Sequence, residues 1–258
     1  QRPGTPEPSA GRAAKVLAFE FESGDVHIVI QDLQSRFNLN DFVSSNEGNS
    51  LIAEKLSLLS SQIGLNPSWM DELLDFSDID GEVRPGGAED YYYLGLERPY
   101  RTSGQPLQDL SEIRLLRTMT DEAYGRLSDV MTVLPTSGGA LNVNTAPPMV
   151  LQTLATDLDL ESATNLAESR LRLEGFESVE QFLQQPELAG LAVKPGGLGV
   201  QSSFFKVNTR ARFGTQIVFL TSFVFRDATT GKMTVYQRKN NERFIPFVPE
   251  EEILANGL

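Results

Sequence analysis

The densest chemical feature of this chain is acidic. Between Asp71 and Asp90 stand Asp71, Glu72, Asp75, Asp78, Asp80, Glu82, Glu89 and Asp90, against a single base, Arg84. One base less eight acids leaves 1 − 8 = −7 in this stretch, more than half of the net charge of −13 carried by all 258 residues. Such a density repels itself unless the side chains splay into water or a cation neutralises them. Carboxylates and loop carbonyls are hard oxygen donors, which suit Ca²⁺ and, less well, Mg²⁺. Counted from Asp78, acids fall at positions one, three, five and twelve (Asp78, Asp80, Glu82, Glu89), as in an EF-hand loop. The sixth position is Val83 where that loop needs glycine, and Pro85-Gly86-Gly87 fills the second half, so an EF-hand is excluded. Two readings stay open on the residues alone: a calcium loop of another kind, or a solvated acidic loop following a helix.

Other chemistries are thinly provided. Cysteine is absent, which removes disulfides, thiolate metal sites and cysteine nucleophiles, and His27 is the only histidine. His27 lies among apolar strand-forming residues and reads as a packed or surface side chain. The Gly86-Gly87 and Gly196-Gly197 pairs lack the Lys and Ser/Thr of a phosphate loop and read as turns. A carboxylate pair for glycoside hydrolysis could be drawn from the acidic loop, with Tyr91–Tyr93 as its sugar platform. The excess of 35 acids over 22 bases argues against duplex nucleic acid, whose affinity rests on neutralising phosphates. The hydrophobic fraction of 40% fits a folded globular chain, and no run approaches the eighteen apolar residues of a spanning helix.

These residues need a scaffold, and its two ends differ from its middle. Residues 1–14 are rich in Pro, Gly and small side chains and read as a flexible lead. Val16–Ile30 is strand-forming. Phe205, Val207, Thr209, Ala211 and Phe213 recur every second residue, with Lys206, Asn208, Arg210 and Arg212 between them, the period of a half-buried strand. Gln216–Arg226 and Met233–Arg238 continue as strands, joined by a Thr230-Gly231 turn, which predicts a three-stranded C-terminal meander. The middle reads as helices over 51–63 (capped by Asn49 or Ser50), 67–76, 107–117, 120–134, 145–156, 162–174 and 178–185, the last opened by a Ser178/Gln181 capping box. The expected organisation is a lead at 1–14, a β domain formed by 15–45 and 201–245, an inserted helical domain at 46–200, and a tail at 246–258.

The segment Leu141–Leu183 resembles the helix-hairpin-helix pattern of competence-type DNA-binding domains, from its Asn142-Val143-Asn144-Thr145-Ala146 start to Gly175-Phe176. Its hairpin, Asp157-Leu158-Asp159-Leu160, carries two acids and no glycine and would repel phosphate. The resemblance therefore implies the fold and not nucleic-acid binding.

A wider resemblance connects these pieces. The segment Gln31–Asn40 (QDLQSRFNLN), the loop from Asp78-Ile79-Asp80 through Arg84-Pro85-Gly86-Gly87-Ala88-Glu89-Asp90 to Tyr93, Pro99-Tyr100-Arg101 and Leu141–Pro147 (LNVNTAP) occur in the order found in the general secretion pathway protein K family, the type II secretion minor pseudopilin K, in its pseudomonad-like form. The ordered set covers about residues 25–225. The resemblance implies an α+β fold, a pilin-like antiparallel β-sheet interrupted by a large helical (SAM or helix-hairpin-helix-like) domain. It also implies an N-terminal hydrophobic helix, cleaved and methylated by a prepilin peptidase, as the membrane anchor. Gln1–Ala14 then reads as the start of the periplasmic part beyond that helix.

The resemblance further implies two structural calcium ions. Carried over position by position, the metal ligands are Asp78, Asp80, Glu89 and Asp90, with Asp75 and Glu82 as weaker extras. The implied role is non-enzymatic: a subunit at the tip of the pseudopilus that joins minor pseudopilins I and J to initiate the filament and support export across the outer membrane. Minor pseudopilin H and secreted exoproteins are further partner candidates. Two competitors from other classes are a calcium-dependent binding module for secreted substrates and a polysaccharide hydrolase working through the acidic loop.

Overall fold

The computed structural model describes residues 14–44 and 50–244. The 246–258 tail, most of the 1–14 lead and the Asn49 cap lie outside the described residues; Ala14 itself belongs to the first strand. Along the chain run β1 (Ala14–Phe21), β2 (Gly24–Asp32), β3 (Phe37–Asn38), α1 (Leu39–Val43), α2 (Ser50–Gln62), α3 (Ser68–Ser77), α4 (Asp90–Leu94) and α5 (Asp121–Ser128). They are followed by β4 (Met131–Thr132), β5 (Leu141–Asn142), α6 (Pro148–Gln152), α7 (Leu160–Arg172) and α8 (Val179–Leu183). The chain closes with β6 (Leu198–Gly199), β7 (Phe204–Phe213), β8 (Gln216–Arg226) and β9 (Met233–Asn240).

The chain divides into two units, Gln1–Leu33 with Gln201–Leu258, and Gln34–Val200. The first holds a five-stranded sheet in the order β1-β2-β7-β8-β9, every pair antiparallel. The expected alternation is realised: Val26, Ile28 and Ile30 share a face with Ala211, Thr209 and Val207, their cross-strand partners. The opposite face mixes Asp25, His27, Arg210 and Arg212 with Val29, Phe219 and Phe223. On it Asp25 accepts from Arg210 Nη1 at 2.6 Å and from Arg212 Nε, with His27 Nε2 3.2 Å away. The arginines beside Asp25, Arg212 foremost, hold its carboxyl below the usual range. The strand-forming stretch Val16–Ile30 falls within two paired strands, β1 and β2, with the turn between Phe21 and Gly24.

The helical unit begins at Gln34, ahead of the expected residue 46, because the residues after β2 are tied into it. β3 pairs in parallel with β4, and Asn40 donates to Leu107 O and Leu134 O, both at 2.9 Å, while Leu107 N donates to its Oδ1 at 2.9 Å. The same device recurs a hundred residues on. β5 pairs in parallel with β6, and Asn144 donates to Phe176 O (2.9 Å) and Val200 O (3.1 Å) while accepting from Phe176 N (2.7 Å). The two Asn-x-Asn motifs are therefore buried clamps that satisfy backbone groups of segments remote in sequence.

Several helices are shorter than the periodicity suggests. The 107–117 region is a 3₁₀ turn over Leu110–Leu115, opened by an Asp109/Glu112 capping box. The 120–134 helix ends at Ser128, since Met131–Thr132 leave it to pair with β3. The 145–156 helix is confined to Pro148–Gln152, as Pro147 and Pro148 cannot supply interior amides. At α8, Ser178 accepts from Gln181 N as expected, but the Gln181 side chain returns to Glu177 N. One core of fully buried side chains, Leu59, Trp69, Leu73, Tyr93, Ile113, Leu127, Val150 and Phe182 among them, unites this unit. Trp69 Nε1 donates to Ser60 Oγ at 3.0 Å, so its polar tip is satisfied inside it. Arg170 is buried as well, its guanidinium capping Val143 O and Ala146 O. Among the described residues no helix is long and apolar enough to cross a membrane.

Candidate metal centre

The acidic loop leaves the C-terminus of α3 and returns at the N-terminus of α4. Three acids of α3 hold it. Asp71 Oδ2 accepts from Gly86 N at 3.0 Å. Asp75, with a fully buried side chain, accepts from Arg84 N (3.2 Å) and Arg84 Nη1 (2.6 Å). Glu72, equally buried, accepts from Thr118 N (2.9 Å), Thr118 Oγ1 (3.1 Å) and Arg117 Nε (3.2 Å). Arg117 Nη2 in turn donates to Gly86 O at 2.8 Å, closing a ring of contacts around the Pro85-Gly86-Gly87 turn. Buried carboxylates are tolerated here because each finds charged or backbone donors.

The far side of the loop is anchored by aromatic packing. Tyr93 is fully buried, edge-on to Phe76 with ring centroids 5.9 Å apart and 5.2 Å from Tyr100. Tyr100 OH donates to Leu115 O at 2.6 Å. This places the rest of Pro99-Tyr100-Arg101 against the start of α4, where Asp90 accepts from Arg101 Nη1, Thr102 N (2.9 Å) and Thr102 Oγ1 (3.1 Å). The Thr102 amide foremost, then the Thr102 hydroxyl and Arg101, hold the Asp90 carboxyl below its usual range.

Of the four ligands carried over from the family, three converge. One carboxylate oxygen each from Asp78, Asp80 and Glu89 lies within 4.8 Å of the others. Asp90 is not among them; its oxygens are turned to Arg101 and Thr102. Of the weaker extras, Asp75 is engaged by Arg84, and Glu82 is exposed, contributing a backbone amide to Asp80 Oδ1 at 2.9 Å.

The trio is electrostatically unfinished. Arg84, the loop's one base, bridges Asp75 and Asp78 through Nη1, at 2.6 Å from each. Asp78 Oδ1 and Glu89 Oε1 nevertheless stand buried with no hydrogen-bond partner. Burial, then the negative charges of Asp75, Asp78 and Asp80, push the Glu89 carboxyl up to about 7; burial likewise raises Asp78. Two orphaned buried carboxylate oxygens beside a third carboxylate fit a hard divalent cation in donor type and charge. What sequence reasoning missed are the props: Glu72 with Thr118 and Arg117, and Asp90 with Arg101 and Thr102. Their only sequence signal was the fixed Pro99-Tyr100-Arg101 motif, which gave no hint of its partner.

Comparison with known proteins agrees with the resemblance. Residues 35–136 and 141–201 match two successive family descriptions, both of "Type II secretion system (T2SS), protein K". The type II secretion system protein K of Pseudomonas aeruginosa is 31% identical over 233 residues, covering 87% of this chain and 68% of that protein. That of Klebsiella pneumoniae is 33% identical over 182 residues, 66% of this chain and 56% of its own length. A chain of the GspK–GspI–GspJ complex from the enterotoxigenic Escherichia coli type 2 secretion system superposes with a TM-score of 0.77 at 25% identity, over 89% of this chain and 84% of that one. This chain belongs to the type II secretion system protein K family, with its mixed helical and antiparallel-sheet fold.

Proposed function

We propose that the chain is a minor pseudopilin that assembles with minor pseudopilins I and J at the tip of the type II secretion pseudopilus, in the periplasm, and helps initiate that filament. The observation that carries this reading is the superposition on a chain of the GspK–GspI–GspJ complex at a TM-score of 0.77 across 89% of this chain. The insertion of a unit as large as Gln34–Val200 between β2 and β7 supports a terminal place and a structural task. An immobilised complex of the soluble domains of I and J should capture this chain in a saturable, equimolar manner. Failure to capture it at any concentration would remove the assembly reading.

The acidic loop has a supporting part in the same proposal. Asp78, Asp80 and Glu89 hold calcium, which cancels their mutual repulsion and fixes an irregular loop onto the helical unit. The two orphaned carboxylate oxygens support this, and Asp90 acts as a brace of the loop through Arg101 and Thr102. Thermal denaturation with calcium and with excess chelator tests it: the melting temperature should fall on chelation, and an unchanged value would count against the metal.

A further inference from the structure

Helix α2 buries a lysine outside the acidic loop. Lys55 is 8% exposed, and among the described residues its ammonium has neither a hydrogen bond nor an ion pair. The charges it feels are Lys194, which repels it, and Glu54, its neighbour in the chain; burial foremost, then Lys194, lowers its pKa. Lys55 lines a cavity of about 530 Å³, a volume suited to a small organic molecule. Phe37, Ile52, Leu134 and Leu141 give that cavity apolar walls, and Arg36 and Asp41 add one charge of each sign. Asp41 is already committed, its Oδ1 accepting from Asn38 Nδ2 at 3.0 Å and Gly138 N at 2.7 Å.

We propose that this cavity binds a small organic monocarboxylate, Lys55 facing its head group and Phe37, Ile52, Leu134 and Leu141 enclosing its apolar body. The Lys55 ammonium has no partner among the described residues, and a carboxylate entering the cavity supplies both a counter-charge and hydrogen bonds. A single negative charge matches the single unpaired cation. A dianion such as phosphate would bring a second charge near Asp41 and leave Phe37, Ile52, Leu134 and Leu141 without an apolar partner. The site shares no residue with the acidic loop and does not depend on the calcium reading.

The test is a titration of the full chain, labelled with ¹³C and ¹⁵N at lysine, with hexanoate, hexanol and inorganic phosphate in parallel. Hexanoate should shift the Lys55 side-chain resonances saturably, with hexanol and phosphate much weaker, and Lys55→Met should weaken hexanoate by about tenfold or more at a preserved melting temperature. Absence of saturation by hexanoate, equal binding of hexanol, or undiminished binding by K55M would overturn the proposal. Should K55M fail to fold, the unsubstituted chain decides alone: a Lys55 resonance unmoved by hexanoate overturns it.

Discussion

A β-carbon built on Gly87 would lie 1.8 Å from Oδ2 of Asp75. The acidic loop is thus drawn onto α3 so closely that only glycine fits, and the approach keeps Asp75 beside Arg84 and within electrostatic reach of Glu89. Gly87→Ala must displace the Asp75 carboxylate from Arg84 or move the loop, and should cost about 1–3 kcal/mol of stability, as overpacking does. Gly81→Ala, in the same loop with nothing within 4 Å of the added carbon, should be nearly silent. Thermal denaturation of the pair measures the difference, and equal melting temperatures would refute the tight approach.

Glu89 makes the metal-free chain sensitive to pH. Its ordinary value is 4.5 and its folded value about 7, so the folded state holds this proton the more tightly. Stability should therefore be highest below pH 4.5 with respect to this group, fall as pH rises from 4.5 to 7, and fall no further above that. Chemical denaturation across that window in chelator should show the decline, and Glu89→Gln should flatten it. Calcium should oppose it, since the cation favours the ionised carboxylate.

Amide substitutions separate ligands from braces. Asp78→Asn, Asp80→Asn and Glu89→Gln should each weaken calcium binding by tenfold or more, about 1.4 kcal/mol. Asp90→Asn should leave affinity much nearer the parent and instead loosen Arg101 and Thr102, read as faster amide exchange there. Calorimetric titration also counts the ions, of which the family resemblance implies two. A loss with Asp90→Asn as large as with Glu89→Gln would restore Asp90 as a ligand.

The paired asparagines offer a prediction about folding. Asn40→Ala and Asn144→Ala each remove three hydrogen bonds from buried backbone groups, so each should cost about 2–4 kcal/mol. Denaturant titration of both variants checks this. A cost below about 1 kcal/mol at either position would show that the clamp is not needed there.

What the sequence discloses follows the range over which each interaction acts. The meander is legible because its signal, alternation in Phe205–Phe213 and its continuation, is local. Asp78, Asp80 and Glu89 are legible as a group because one short loop carries them. Asp90 misleads, since its neighbours in sequence are ligand candidates while its partners, Arg101 and Thr102, arrive only when Tyr100 packs on Tyr93. Met131–Thr132 continue a helical pattern and become a strand because Phe37–Asn38 offer an edge from the other end of the helical unit. The start of that unit at Gln34 is hidden for the same reason: the Asn38 and Asn40 side chains reach Leu107, Leu134 and Thr136.

Assembly is the central claim, and light scattering after size-exclusion chromatography tests it most directly. This chain would be mixed with the soluble domains of minor pseudopilins I and J, with calcium and with chelator. The account predicts a single 1:1:1 species in calcium. A chain that elutes alone at every mixing ratio, in both conditions, would contradict it.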